Sequence, residues 1–93
     1  MASPDVDGLT QAFSQTSSEE ERLQLGRQAL NQSSIRAEDL QLLLQGFQFD
    51  ASRGEFAKFA YPHVADRQNF YKVYSSFDFS TNAREVQDAV ARM

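Results

Sequence analysis

The sequence contains no cysteine and no tryptophan, and only two prolines and four glycines interrupt its 93 residues. Without cysteine, the chain has no disulfide, no thiolate nucleophile and no thiolate zinc site. No stretch reaches the roughly 20 apolar residues that a membrane helix needs. The first residues lack the basic start and apolar core of a signal peptide, so no targeting segment is predicted. The compartment stays open, and a cytoplasmic or nuclear location is slightly favoured.

Positive charge is also scarce, since nine lysines and arginines stand against thirteen acidic residues and the net charge is −4. The basic residues are scattered singly, whereas a nucleic-acid-binding surface needs them clustered. We therefore expect neither a nucleic acid nor a membrane as a partner. The sequence has no glycine-rich phosphate loop and no spacing of acidic or histidine residues typical of a metal site. No cofactor, no metal ion and no catalytic residue are predicted.

The chain does contain an internal repeat rich in leucine and phenylalanine. A shift of 30 positions places Leu40, Leu43, Leu44 and Phe47 on Phe70, Val73, Tyr74 and Phe77. The same shift places Phe49 on Phe79, so the pattern Phe-x-Phe occurs twice. Within each copy the four apolar residues have the spacing i, i+3, i+4, i+7, which puts them on one helical face. A fixed period of this size is typical of stacked supersecondary units.

These patterns predict an all-α fold in a single domain, residues 1–93. About six short helices are expected, near 4–14, 19–31, 36–46, 51–61, 67–76 and 81–92. They form three helical hairpins of about 30 residues, 3–32, 33–62 and 63–92, in a compact bundle or a short stack. The first hairpin matches the others poorly, because Leu9 is one position out of register with Leu40 at this shift.

The starts of the helices carry residues suited to capping. Ser18 and Glu21 have the spacing of a capping box. Asp50 and Ser80 each follow a Phe-x-Phe and are predicted to cap the next helix, and Asp66 is predicted to cap the helix that carries Phe70.

The two Phe-x-Phe motifs are interpreted as hydrophobic hinges between helices. One ring of each pair should pack on its own helix and the other on the next, which would bury all four rings. The alternative is an exposed aromatic pair that grips a ligand. It is the weaker interpretation, because exposure would remove much apolar area from a small core.

The hinge and stripe residues resemble a known family. The segments Leu40–Asp50, Phe56–Tyr61, Val64–Val73 and Phe77–Ser80 are similar to the small domain-of-unknown-function family numbered four-four-seven-six, over about residues 20–92. A similar domain begins an animal nuclear protein, proline and serine rich protein one. The resemblance implies an all-helical domain and no established activity. The sequence departs from the family pattern at Arg36, where Ser or Thr is usual, and at Gly54.

Two apolar residues lie off the main stripes, Leu42 on the third helix and Tyr71 on the fifth. We interpret them as parts of a wide core stripe, because a helix inside a stack touches neighbours on two sides. If they are exposed instead, they are candidate anchors for a partner. The candidate contacts for a partner are Tyr71, Leu42, Tyr61, Lys58 and Arg53.

The function that the sequence favours is a non-catalytic protein–protein interaction or scaffolding module, which could be a domain of a larger protein. Its partner would be another protein or a peptide, and the isolated domain would be monomeric. A different class stays open, since six short helices in about 90 residues also describe the self-associating death-domain-like adaptors. A further alternative is a hydrolase that uses His63, although no nucleophile signature accompanies this histidine.

Overall fold

The computed structural model describes residues 1–93, apart from the side chains of residues 3 and 4. It contains five α-helices: α1 (Ser3–Ser14), α2 (Glu19–Leu30), α3 (Ala37–Leu44), α4 (Asp50–Ala60) and α5 (Ser80–Ala91). A single 3₁₀ turn, Tyr61–His63, and a longer 3₁₀ helix, Arg67–Ser76, lie between α4 and α5. The predicted all-α fold is confirmed. Within the described part of the chain, β-type backbone pairing is limited to one isolated parallel β-bridge between Ile35 and Val64.

The helices form two layers. In one layer α1 packs on α3 and α3 packs on the 3₁₀ helix Arg67–Ser76, while in the other α2 packs on α4 and α4 packs on α5. This order of neighbours is that of a short stack of hairpins. Because the stack is only three units long, it stays compact, with extents of 30 × 25 × 18 Å.

The core lies between the layers and is built on three phenylalanine rings. They are Phe13 of α1, Phe47 of the turn between α3 and α4, and Phe56 of α4. The ring centroids of Phe13 and Phe47 are 5.3 Å apart, and those of Phe47 and Phe56 are 5.5 Å apart. All three rings are almost completely buried. Gly26 of α2 lies directly against Phe56, where a Cβ atom would come within 2.3 Å of Cε1 of the ring. The absence of a side chain at Gly26 therefore lets α2 and α4 approach closely.

The stripe of the third hairpin forms a 3₁₀ helix where the sequence pattern predicts an α-helix. Residues at i and i+3 lie above one another in a 3₁₀ helix, and Phe70 and Val73 are accordingly buried while Tyr74 is half-buried. The segment is rich in aromatic, β-branched and serine residues, which have low α-helix propensity. The Ser75 hydroxyl also donates to the Lys72 carbonyl, 2.8 Å away, which favours the tighter turn.

The prediction that all four rings of the Phe-x-Phe motifs are buried is wrong. The first ring of each motif packs inward, since Phe47 is fully buried and Phe77 half-buried, but Phe49 and Phe79 are 62% and 65% exposed. The physical reason is that Phe49 and Phe79 are the N-cap residues of α4 and α5, with extended backbones. Asp50 and Ser80 are the first helical residues, so the prediction that they are N-caps is also wrong.

Candidate functional site

Two arginines are built into the turns that join the helices of the first two hairpins. In the first hairpin, Arg22 is buried and closes the end of α1: its Nε donates to the Phe13 carbonyl (3.0 Å) and its Nη2 to the Thr16 carbonyl (2.6 Å). Its Nη1 donates to Oε2 of Glu19 at 2.8 Å. The guanidinium therefore binds one carbonyl in the last turn of α1 and one in the turn that follows it, and the Phe13 carbonyl also accepts from the Thr16 amide at 3.1 Å.

The second hairpin contains the same arrangement 31 positions later. Arg53 donates through Nε to the Leu44 carbonyl (3.3 Å), through Nη2 to the Phe47 carbonyl (2.8 Å) and through Nη1 to Oδ1 of Asp50 (3.0 Å). The contacts thus relate the first two hairpins by 31 positions instead of 30. At this shift Leu9 falls on Leu40, which explains why it is out of register in the 30-residue comparison.

The acid of each pair also holds the turn of the next hairpin. Oε1 of Glu19 accepts hydrogen bonds from the amides of Gln48 and Phe49, at 3.0 and 3.1 Å. The carboxylate of Asp50 accepts from the amides of Asp78 and Phe79, at 3.0 and 2.7 Å. We call these two groups, Glu19–Arg22 and Asp50–Arg53, the turn clasps. They fix both Phe-x-Phe turns through charge-assisted hydrogen bonds, so the turns do not need a buried second ring.

The start of α3 is capped in the same manner, from a distant part of the chain. Arg36, at its N-cap position, makes no side-chain cap, and the Ala37 amide donates instead to Oδ1 of Asp66 at 2.8 Å. Oδ2 of Asp66 accepts from Nδ2 of Asn69 at 3.0 Å. The prediction that the Asp66 side chain caps the helix that carries Phe70 is therefore wrong. Of the capping box predicted at Ser18 and Glu21, the hydrogen bond from the Glu21 amide to the Ser18 hydroxyl is confirmed, and the described hydrogen bonds include no return bond from the Ser18 amide to the Glu21 carboxylate.

These three carboxyl groups are held in their ionised form. Burial alone would raise the pKa of Glu19 and of Asp50, but the two turn amides and the arginine on each carboxylate outweigh it and lower both pKa values. The hydrogen bonds from Ala37 and Asn69 lower the pKa of Asp66.

Stability should therefore fall in acid. The carboxyl groups of the unfolded chain take up protons at a higher pH than the carboxylates of the folded state do. The free energy of unfolding is therefore highest when the pH is above the pKa values of the unfolded chain, about 4–4.5. It should decrease as the pH falls through the lowered pKa values of the folded state. Urea denaturation between pH 7 and pH 2.5 measures this. Glu19→Gln should flatten the decrease, whereas Glu20→Gln, a change at an exposed neighbour, should leave its slope as it is; equal slopes in all three proteins would contradict the assignment.

Three of the five residues predicted to contact a partner are only partly exposed. Arg53 belongs to a turn clasp, and its side chain is 13% exposed. Tyr61 is half-buried, with its ring edge-on to Phe70 (4.8 Å between centroids) and the Arg67 guanidinium 5.2 Å above it. Lys58 is half-buried on α4.

The other two predicted contacts, Leu42 and Tyr71, are exposed by 48% and 64%. Our interpretation of them as core residues is therefore wrong. Leu42 lines an open groove of about 530 Å³ between α1 and the end of α3, with Phe13 and Gly46 among its walls and Gln48 near one end. Tyr71 lies on the 3₁₀ helix, with Nζ of Lys72 6.0 Å from its ring centroid, and does not line this groove.

His63 lies at the opposite end of α4 from the clasps. Its ring stacks on Phe59 with 5.4 Å between centroids, and its Nδ1 is 3.2 Å from the Ser33 carbonyl. The described hydrogen bonds give this imidazole a backbone partner and no side-chain acid or hydroxyl. Across the part of the chain whose side chains are described, no three histidine, cysteine or acidic residues are grouped as ligands of a metal ion.

The clasps and the exposed second rings are the features that our sequence reasoning missed. A signal for the clasps is present, since an acid followed three residues later by arginine occurs at 19–22 and again at 50–53. A comparison at a shift of 31 residues finds it.

Of the described helices, none combines the length and the apolar character needed to cross a membrane.

Comparison with known proteins gives one match. The model of a family described as Domain of unknown function (DUF4476) matches residues 1–90. No curated protein and no solved structure matches the chain.

Proposed function

The chain belongs to the DUF4476 family, and from its surface we propose that it is a non-catalytic protein–protein interaction module that binds a protein or a peptide. The observation that carries this proposal is the exposure of large apolar side chains beside a filled core. Leu42, Phe49, Tyr71 and Phe79 are each about half or more exposed, while seventeen apolar residues among those with described side chains are buried. Large exposed apolar and aromatic side chains are the usual anchors of protein interfaces.

The groove at Leu42 supports the same proposal. Its walls combine the apolar residues Phe13 and Leu42 with polar residues of α1 and of the end of α3, among them Asp7, Thr10 and Gln45. A peptide side chain placed there would contact apolar surface and find hydrogen-bond partners around it, as in a typical interface with an apolar centre and a polar rim.

Selection of peptides on the immobilised domain tests the proposal. A phage-displayed random peptide library should give enriched sequences, and the free peptides should bind the domain in solution. The double variant Leu42→Ala, Tyr71→Ala should weaken binding of peptides that contact the groove at Leu42 or the exposed Tyr71 ring. The double variant Phe49→Ser, Phe79→Ser should weaken binding of peptides that contact the exposed phenylalanine rings. The matched control Gln87→Ala, Arg92→Ala, on the exposed part of α5, should bind like the wild type.

Each outcome is informative because all four apolar positions are exposed and their substitution should cost little stability. If the library gives no enriched peptide, or if every selected peptide binds both apolar double variants as tightly as the wild type, the proposal is wrong. Thermal denaturation of each variant shows whether a loss of binding reflects a loss of fold.

A further inference from the structure

The two exposed phenylalanines occupy equivalent places on neighbouring helices. Phe49 and Phe79 are the N-cap residues of α4 and α5, and their backbone angles are nearly the same (φ −116°, ψ 140° and φ −119°, ψ 131°). One side chain joins their backbones, since Asp50, the residue after Phe49, accepts the amide hydrogen bond of Phe79 at 2.7 Å. We call the surface formed by these two residues the phenylalanine edge.

The turn clasps hold the backbone at Phe49 and Phe79, so these two rings do not have to pack in the core. Their amides are bound by Glu19 and Asp50, so the position of each N-cap residue is fixed while its side chain contributes little to the core. The equivalent N-cap residue of α2 is Ser18, with φ −117° and ψ 135°. The backbone geometry of this turn therefore accepts a small polar residue, and the two large aromatic rings are not required by the fold.

The exposed charge around the phenylalanine edge is negative. Arg53 is shared between Asp50 and Asp78, so this group of three carries one net negative charge, and Asp78 is the exposed member, at 69%. Glu20 and Glu21 are exposed in the first turn of α2, next to the clasp that holds Phe49.

The two arginines of the turn clasps do not offset that charge. Arg22 and Arg53 donate to carbonyl groups and to the clasp acids, and their side chains are 11% and 13% exposed. The next basic residue along α5 is Arg84, in its second turn. A ligand that approaches the edge thus meets two aromatic rings and the net negative charge of the Asp50–Arg53–Asp78 group, and Glu20 and Glu21 lie in the adjacent first turn of α2.

Resting on the proposed function, we propose that the phenylalanine edge docks a basic segment of a partner protein that presents apolar side chains together with lysine or arginine. The apolar side chains contact the rings of Phe49 and Phe79, and the cations lie near Asp78, Glu20 and Glu21. Complementary charge of this kind speeds association and selects the partner, while the aromatic contact supplies affinity.

A second copy of this chain is a poorer occupant of the edge. In a two-fold contact the same surface meets itself, which would bring Asp78, Glu20 and Glu21 of both copies together. Like charges brought together in an interface disfavour binding.

Three labelled peptides of equal length test this inference by fluorescence anisotropy. In the first peptide leucine and lysine alternate. The second replaces each lysine by glutamate, and the third keeps the lysines and replaces each leucine by serine. The first should bind at least about tenfold more tightly than either of the others, a difference of about 1.4 kcal/mol. Its binding should weaken as salt is raised from about 0.05 to 0.5 M, because the charges are exposed.

Variants locate the peptide on the surface. Phe49→Ser, Phe79→Ser should weaken binding of the leucine–lysine peptide at least about tenfold, and Glu20→Gln, Glu21→Gln, Asp78→Asn should reduce its salt dependence. The pair Gln87→Ala, Arg92→Ala, at exposed positions outside both candidate surfaces, serves as the control and should bind like the wild type. Since all of these side chains are exposed, circular dichroism should show an unchanged fold.

The results separate this inference from the proposed function. If the glutamate peptide binds equally well, or if the phenylalanine double variant binds like the wild type, the inference is wrong. If selected library peptides bind at the Leu42 groove and ignore the edge, the proposed function stands and the inference falls. Concentration-dependent light scattering that disappears in the phenylalanine double variant would show that a second copy occupies the edge, which also overturns it.

Discussion

Replacement of Asp50 by alanine is expected to lower the free energy of unfolding by about 3–5 kcal/mol, because it breaks a buried ion pair and leaves the other charge without its main partner. Asp50 binds Arg53 at 3.0 Å and the amides of Asp78 and Phe79, and its side chain is almost completely buried. The loss is a large part of the 5–15 kcal/mol typical of a small domain. Urea denaturation followed by circular dichroism measures it.

Asp78→Ala is the matched control, because Asp78 binds the same Nη1 atom of Arg53 at a similar distance, 3.1 Å, from an exposed position. Exposed ion pairs contribute at most about 1 kcal/mol, so this variant should stay close to the wild type. Equal losses for the two alanine variants would show that the buried hydrogen bonds of Asp50 do not dominate, and the role assigned to the clasp would be wrong.

Replacement of Phe56 by alanine should cost about 3–5 kcal/mol, since its ring is fully buried and leaves a cavity beside Phe13 and Phe47. Gly26→Ala should also destabilise the domain, by about 1–3 kcal/mol, because the added Cβ would meet the Phe56 ring at 2.3 Å. In the Phe56→Ala background the same Gly26→Ala change should become stabilising by up to about 1 kcal/mol, as alanine favours the helix and fills space.

Gly54→Ala provides the comparison within one fold. A Cβ atom at Gly54 would lie 3.6 Å from Cγ2 of Val86, an ordinary contact, so this change should stabilise the domain by up to about 1 kcal/mol in the wild type. Urea denaturation of the four Gly26–Phe56 combinations gives the coupling between the two positions. Additive effects of the two single changes would contradict the close packing of α2 on α4.

The fold could be predicted from the sequence because apolar spacing alone determines which helix faces are buried. Leu40, Leu43 and Leu44 are fully buried, as their helical spacing indicates. The same reasoning failed for Phe49 and Phe79, because it treated every phenylalanine as core and did not consider that a carboxylate could hold the turn.

The candidate surface was harder to predict, since it depends on contacts between residues distant in sequence. The sequence offered Arg53 as a candidate partner contact but gave no sign of its hydrogen bonds to the carbonyls of Leu44 and Phe47 and to Asp50. Leu42 and Tyr71 were correctly singled out as lying off the main stripes, yet no pattern in the sequence states how many neighbours a helix has. Their exposure follows from the shortness of the stack.

The capping of α3, α4 and α5 by acids 29 or 30 residues away also bears on how the chain folds. A helix whose first amides are satisfied locally can form before its surroundings, whereas these three gain their caps only when another hairpin has arrived. Early, autonomous helix formation is thereby penalised and the concerted transition is favoured. Hydrogen exchange at the amides of Ala37, Phe49 and Phe79 would then report separation of the hairpins from one another, not fraying of single helix ends.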